Sequence, residues 1–154
     1  VKLEIKKIKI YPKLINIYNL KSFKAKKIVL DRINTSLKTN ELQILNRLIY
    51  QIKNKIKLNN LELKIFYEEE FLIDLKGIKF SNYGYGKDLI SGKIFNKKFK
   101  ITLDDNFNKI NLKLLNTGII IDFDFNEIKK NSAKGTIKAR VLNSNLKFKF
   151  EYNN

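Results

Sequence analysis

The fold is decided by residues 97–152, which read KKFKITLDDNFNKINLKLLNTGIIIDFDFNEIKKNSAKGTIKARVLNSNLKFKFEY. Apolar and polar residues alternate through this segment, and a turn interrupts the alternation at regular intervals. Phe99, Ile101 and Leu103, for example, alternate with lysines and a threonine. A period of two residues is typical of a strand with one face buried and one face in solvent. The segment therefore predicts an antiparallel meander with one apolar face and one polar, mostly cationic face.

The apolar positions of this meander are the candidate functional residues, because they would form one continuous apolar surface. They are Phe99, Ile101, Leu103, Ile110, Leu112, Leu114, Ile119, Ile121, Phe123, Ile137, Ala139, Val141, Leu146, Phe148 and Phe150. Such a surface is either the core of a sandwich or the lining of a groove.

A tight turn at Asn116 and Thr117 predicts how two of these strands pair. A slip of one residue would move every apolar side chain to the wrong face, so the turn and the alternation must agree. The predicted pairs are Leu114–Ile119, Leu112–Ile121 and Ile110–Phe123 on the apolar face, and Asn111–Asp122 and Lys109–Asp124 on the polar face.

A second turn, at Asn143 and Ser144, predicts the pairing of the last two strands. It places Val141 opposite Leu146 and Ala139 opposite Phe148. The same register sets Arg140 against Lys147, and two like charges directly opposite each other are unfavourable.

The remaining chain predicts further strands and one helix. Alternating runs occupy parts of residues 1–30, 56–80 and 89–94, and a phase slip at Lys6 and Lys7 predicts a bulge. Between residues 40 and 53, leucines and isoleucines recur every three or four positions, which predicts a helix capped by Thr39 or Asn40. The sequence thus predicts a mainly β protein with about ten strands.

The helix is too narrow to cover such a sheet. Ten strands at about 4.8 Å spacing are roughly 50 Å wide, whereas a helix is ~10–12 Å across and covers two or three strands. The sheet must therefore close into a sandwich or barrel, or remain a large curved antiparallel sheet, groove-like or a half-open sandwich. No linker rich in Gly, Pro or Ser divides the chain, so we expect one domain over residues 1–154.

The formal charge of +17 is compatible with a polyanion-binding surface. Only Arg32, Arg47 and Arg140 are arginine, however, and recognition of bases and phosphates favours arginine. The lysines are spread over almost every strand, and the abundance of Lys, Asn and Ile is also the signature of A/T-rich codons. A binding module for nucleic acid or another polyanion is therefore an alternative, but we expect no nucleic-acid partner.

The residue types exclude several kinds of chemistry. The chain contains no His and no Cys, so Ser-His or Cys-His catalysis and a thiolate or histidine metal site are impossible. The carboxylates at 68–70 and at 104–105 are typical of solvated turns, and Asp122 and Asp124 face polar strand partners. The Tyr83–Gly86 loop lacks the spacing of a phosphate-binding loop. We predict no enzyme, no cofactor and no metal site.

Three stretches of the chain resemble the AsmA-like family, which includes TamB-type proteins of the Gram-negative envelope. VKLEIKKIKIYPKLINIYNLKSFKAKKIVL, residues 1–30, is similar to the segment that follows the family's membrane anchor. IKLNNLELKIFYEEEFLIDLKGIKF, residues 56–80, follows the predicted helix. SGKIFNKKFKITL and AKGTIKARV resemble the family's strand-turn-strand units, in which small residues open each strand, here at Ser91-Gly92 and Lys134-Gly135.

The resemblance implies a periplasmic protein, anchored to the inner membrane, whose taco-shaped sheet offers an apolar groove to phospholipid acyl chains. It implies a role in lipid transport or outer-membrane assembly, without catalysis, and envelope proteins as possible partners. Residue 1 is Val and the anchor is missing, so we expect a fragment of a longer protein.

The residue pattern and the resemblance together favour a lipid-binding groove. Lysines at its rim would meet anionic headgroups. Two alternatives stay open: the polyanion-binding module, and a structural β-sandwich that docks a partner through its edge strands.

Overall fold

A computed structural model shows an almost entirely β protein. The structure describes residues 2–13, 24–41, 54–104, 108–128 and 132–153. The strands are β1 (Lys2–Pro12), β2 (Ala25–Lys38), β3 (Lys55–Tyr67), β4 (Glu70–Ser81), β5 (Leu89–Ile94), β6 (Lys97–Leu103), β7 (Lys109–Leu114), β8 (Ile119–Ile128), β9 (Ser132–Val141) and β10 (Ser144–Asn153). A short 3-10 helix, Thr39–Glu41, follows β2. The rest of the helix predicted over residues 40–53 lies outside the described residues.

The ten strands form one sheet in which the spatial order equals the sequence order. Within the described part of the chain, β1 and β10 are the two edges and do not pair with each other, so the sheet is open. Each strand makes its main contacts with the strands beside it in the sheet. The predicted mainly β fold with about ten strands is therefore confirmed, and the open sheet is the arrangement that the strands adopt.

One strand pair departs from the predicted antiparallel arrangement of the sheet. β2 and β3 run parallel, with Ile33 level with Leu61 and Leu37 level with Ile65, and every other neighbouring pair among the described strands is antiparallel. The sheet is therefore mixed. A parallel pair needs a crossover of a dozen or more residues, and the chain between residues 38 and 55 is long enough for one.

The phase slips of the first strands line up across the sheet. Arg32, Asn60 and Gly77 have positive φ angles of 53°, 56° and 60°, and Arg32 and Asn60 occupy equivalent positions in β2 and β3. Gly77 lies at a register shift within β4, which is a bulge inside one continuous strand. Because the slips coincide, Leu30 stays level with Leu58 and Ile33 with Leu61 on either side of them.

The best-buried residues lie on β2, β3, β4 and β6. Leu37, Leu63, Ile78 and Phe99 retain 3–7% of their exposure and form one cluster. Partly buried leucines and isoleucines of the neighbouring strands pack against it. The core therefore belongs to β2–β6, with Leu114 of β7 packed against it, and β8–β10 lie beyond it in the sheet.

The hairpin between β7 and β8 has the predicted register. Leu114 pairs with Ile119, Leu112 with Ile121 and Ile110 with Phe123, and the polar pairs Asn111–Asp122 and Lys109–Asp124 also form. The hydroxyl of Thr117 donates a hydrogen bond to the carbonyl of Leu114 at 2.9 Å, which fixes the turn.

The predicted register of the last hairpin is wrong, because each residue of β9 pairs with the β10 residue two positions before the predicted partner. The turn is at Leu142 and Asn143, so Val141 pairs with Ser144 and Ala139 with Leu146. Leu142 has a φ of 54°, as tight hairpin turns require. Arg140 consequently faces Asn145, with 3.4 Å between Nε and Oδ1, instead of Lys147. The shift is two residues in total, so every side chain keeps its predicted face.

Candidate functional site

A single line of apolar residues crosses the whole sheet. Directly opposed residues on neighbouring strands share a face, and one such set contains an apolar residue from every strand. This apolar row consists of Ile8, Leu30, Leu58, Phe80, Ile90, Ile101, Leu112, Ile121, Ala139 and Leu146. Nine strand spacings of about 4.8 Å make the row about 43 Å long.

Two further rows flank the apolar row in the second half of the sheet. One row contains Phe99, Leu114, Ile119 and Val141. The other row contains Leu103, Ile110, Phe123, Ile137 and Phe148. The structure therefore brings all the candidate residues of β6–β10 into three adjacent rows, except Phe150, which lies one pair beyond Phe148.

The exposure of this face increases from the core toward the β10 edge. Phe99 on β6 is 3% exposed, whereas Val141 is 38%, Leu146 48% and Phe148 53% exposed. The other candidate residues between them are half-buried. The apolar surface is thus accessible where the last strands leave the core.

Two glycines allow aromatic rings to lie flat against this face. A Cβ atom on Gly92 would come within 3.0 Å of the Phe99 ring, and one on Gly135 would come within 2.9 Å of the Phe150 ring. Above Gly135, Phe150 meets Phe125 edge to face with 5.5 Å between ring centroids. Phe125 is a member of this face that the candidate list lacks, although its alternation with Asp122 and Asp124 is visible in the sequence.

The first five strands supply half of the apolar row, and the sequence-based candidate list omits them. These residues are Ile8, Leu30, Leu58, Phe80 and Ile90. Their strands were predicted, but each carries or adjoins a phase slip, so alternation alone could not show that the row continues. The aligned slips described above restore the continuity.

The opposite face of β7–β10 is polar, and three of its lysines lie beside a carboxylate, although Lys138 also faces Lys147. The amide of Asn111 donates a hydrogen bond to Asp122 at 2.6 Å, and Asp122 also lies opposite Lys138. Lys134 forms an ion pair with Glu151 at 2.7 Å. The hydrogen bond from Lys134 to the Glu151 carboxylate raises the pKa of Lys134 above its ordinary value. The carboxylates of these strands therefore hold neighbouring strands together.

The turn carboxylates have structural positions. Glu68 and Glu69 form the two-residue turn between β3 and β4, and the carboxylate of Asp104 accepts a hydrogen bond from the backbone N–H of Lys109 at 3.0 Å. Asp105 lies outside the described residues. Among the residues that the structure describes, no group of His, Cys, Asp or Glu could hold a metal ion.

Comparison with protein-family models, with curated proteins and with solved structures finds no match to this chain. The resemblance to the AsmA-like family therefore stays a prediction from the sequence. No helix in the described ranges is both long enough and apolar enough to cross a membrane.

Proposed function

We propose that the apolar face of this sheet binds phospholipid acyl chains, and that the protein is a non-enzymatic lipid-binding domain. The observation that carries the proposal is the apolar row, because it runs unbroken from one edge of an open sheet to the other. A sandwich core would need a second sheet to cover this face, and the described strands form a single sheet.

The length of the row suits a lipid tail. The hydrocarbon core of a bilayer is about 30 Å thick, so one leaflet of acyl chains is roughly 15 Å deep, and a row of about 43 Å exceeds it. Each buried methylene contributes about 0.8 kcal/mol, so contact with a few methylenes gives weak, exchangeable binding. Exchange is what a lipid carrier requires.

The resemblance to the AsmA-like family extends the proposal to a cellular role. In that role the domain is part of a longer protein anchored to the inner membrane. It carries phospholipid across the periplasm or serves outer-membrane assembly, with other envelope proteins as partners.

The proposal is tested by two isoleucines that are adjacent in β8 but lie on opposite faces. Ile121 lies in the apolar row between Leu112 and Ala139, whereas Ile120 lies between Lys113 and Arg140. We expect phospholipid to co-purify with the wild type, Ile121→Asp to lose this lipid, and Ile120→Asp to retain it. Mass spectrometry of the extracted lipids measures both variants.

A second variant guards against unfolding of Ile121→Asp. Leu146 lies in the same row on the edge strand and is 48% exposed, so Leu146→Asp should leave the fold intact and still reduce lipid binding. Far-ultraviolet circular dichroism checks the fold of each variant. Equal lipid content in the two apolar-row variants and the wild type, with all proteins folded, would refute the proposal.

A further inference from the structure

Six lysines form a patch on the side of β4–β7 that faces away from the apolar row. This lysine patch consists of Lys76, Lys79, Lys93, Lys98, Lys100 and Lys113, and all six residues are exposed. They occupy positions that alternate with members of the apolar rows, such as Phe80 and Phe99. The patch is therefore the back of the same part of the sheet that carries the core.

Like charges face each other directly within the patch. Lys93 lies between Lys76 and Lys98 on the adjacent strands, and Lys100 lies opposite Lys113. Directly opposed like charges on neighbouring strands destabilise a sheet. Among the described residues, the carboxylate in contact with the patch is Asp74, which lies 3.3 Å from Lys76.

On the back of the last strands, three lysines have a carboxylate partner. There Lys109 lies opposite Asp124, Lys138 opposite Asp122, and Lys134 pairs with Glu151. The same face of one sheet thus carries an uncompensated half and a compensated half, in which Lys109, Lys134 and Lys138 each have a carboxylate partner. Lys138 also faces Lys147 on β10. A general excess of lysine codons explains a high lysine content. It does not explain why carboxylates lie opposite three lysines of the last strands, whereas no carboxylate lies opposite a patch lysine on β5–β7.

The chemistry of the patch favours lipid headgroups over nucleic acid. The in-register neighbours of the patch lysines on β5–β8 are other lysines, Ser91 and Ile120, so no aromatic side chain is interleaved with them for base stacking. The patch also lacks arginine, which reads bases and phosphates through paired hydrogen bonds. At its border, Tyr83 and Tyr85 line a depression together with Lys79, and tyrosine is enriched at the headgroup level of membranes.

We propose that the lysine patch docks the domain on an anionic phospholipid bilayer. The lysines approach the negative headgroups of the surface and so relieve their mutual repulsion, and the fully exposed Tyr85 inserts at the border. This docking needs no acyl chain on the apolar face and is therefore independent of the function proposed above.

The test compares two triple variants with the same change in net charge. The first, Lys93→Gln with Lys98→Gln and Lys113→Gln, removes charge from the patch. The second, Lys109→Gln with Lys134→Gln and Lys138→Gln, removes charge from the compensated half. Each is sedimented with vesicles of phosphatidylcholine alone and of phosphatidylcholine with phosphatidylglycerol, at low and high salt.

The expected outcomes follow from the energy of a lysine near a charged membrane. A contribution of about 1 kcal/mol for each lysine corresponds to about fivefold in affinity, so the patch variant should bind anionic vesicles about a hundredfold more weakly. The variant of the compensated half should lose less than about fivefold, and 1 M salt should release the wild type because the Debye length falls to ~3 Å. Thermal unfolding should show no loss of stability in the patch variant, since opposed like charges are removed.

Three results would overturn the docking proposal. A wild type that shows no preference for anionic vesicles would exclude a bilayer as the partner. Equal losses in the two triple variants would show that net charge alone governs binding. The third result is that the wild type binds a single-stranded oligonucleotide more tightly than vesicles, in a salt-sensitive way, and that the patch variant loses this binding. It would assign the patch to nucleic acid instead.

Discussion

Gly135 is the position at which one methyl group should disturb the sheet most. It lies in β9 between Phe125 of β8 and Phe150 of β10. A Cβ atom there would fall on the carbonyl oxygen of Asp124 and within 2.9 Å of the Phe150 ring. Overpacking of this kind costs about 1–3 kcal/mol, and the lower entropy of the unfolded chain offsets about 0.4–1 kcal/mol of it. We expect Gly135→Ala to lower the free energy of unfolding by about 1–2 kcal/mol.

The matched control is Gly86→Ala, because no atom lies within 4 Å of a Cβ at Gly86. Neither glycine has a positive φ, so only the available space distinguishes them. The control should be neutral or slightly stabilised. For a domain of this size the expected loss at Gly135 corresponds to a decrease of about 2–8 °C in Tm, which differential scanning calorimetry or urea unfolding measures. Equal stability of the two variants would show that the edge-to-face pair of phenylalanines does not lie over Gly135.

Two further predictions concern the core and the end of β2. Phe99→Ala should lower the free energy of unfolding by about 3–5 kcal/mol, because the ring is 3% exposed and lies against Gly92. Urea unfolding measures the loss, and a change below about 1 kcal/mol would contradict burial of this ring. The backbone N–H of Lys38 donates a hydrogen bond to the Glu41 carboxylate at 2.8 Å and holds the pKa of Glu41 below its ordinary value. Stability from this contact is therefore present above the ordinary carboxyl pKa and is lost as pH falls through the lowered pKa. An NMR titration should find the lowered pKa of Glu41. Glu41→Gln should remove this contribution to the pH dependence of Tm.

The hairpin registers show how far alternation and turn residues predict a sheet. The turn at Asn116 and Thr117 predicted the β7–β8 register correctly, and Asn116 and Gly118, residue types that tolerate positive φ, take it there. At the last hairpin, Leu142 takes a positive φ that sequence rules assign to Asn or Gly. Both registers satisfy the alternation, since they differ by two residues and a displacement of two keeps every side chain on the same face.

The candidate residues could be predicted as members of one face, but not their accessibility. Ile121 and Phe99 follow the same alternating pattern, yet Phe99 is buried in the core cluster while Ile121 is half-buried. The difference depends on which strands lie beside the core, and that depends on the order of all ten strands. The sequence pattern of one strand contains no information on this order.

The sequence by itself determined the β class, the number of strands and the face on which each side chain of β6–β10 lies, because these depend on a two-residue period and on local turns. Tertiary structure decided the parallel pairing of β2 with β3, since a period of two is the same in either strand direction. It also decided the alignment of Arg32, Asn60 and Gly77, and that β1 and β10 remain apart. Each of these features involves contacts between residues distant in the chain, and the continuous apolar row exists only because those contacts place ten separate patterns in one register.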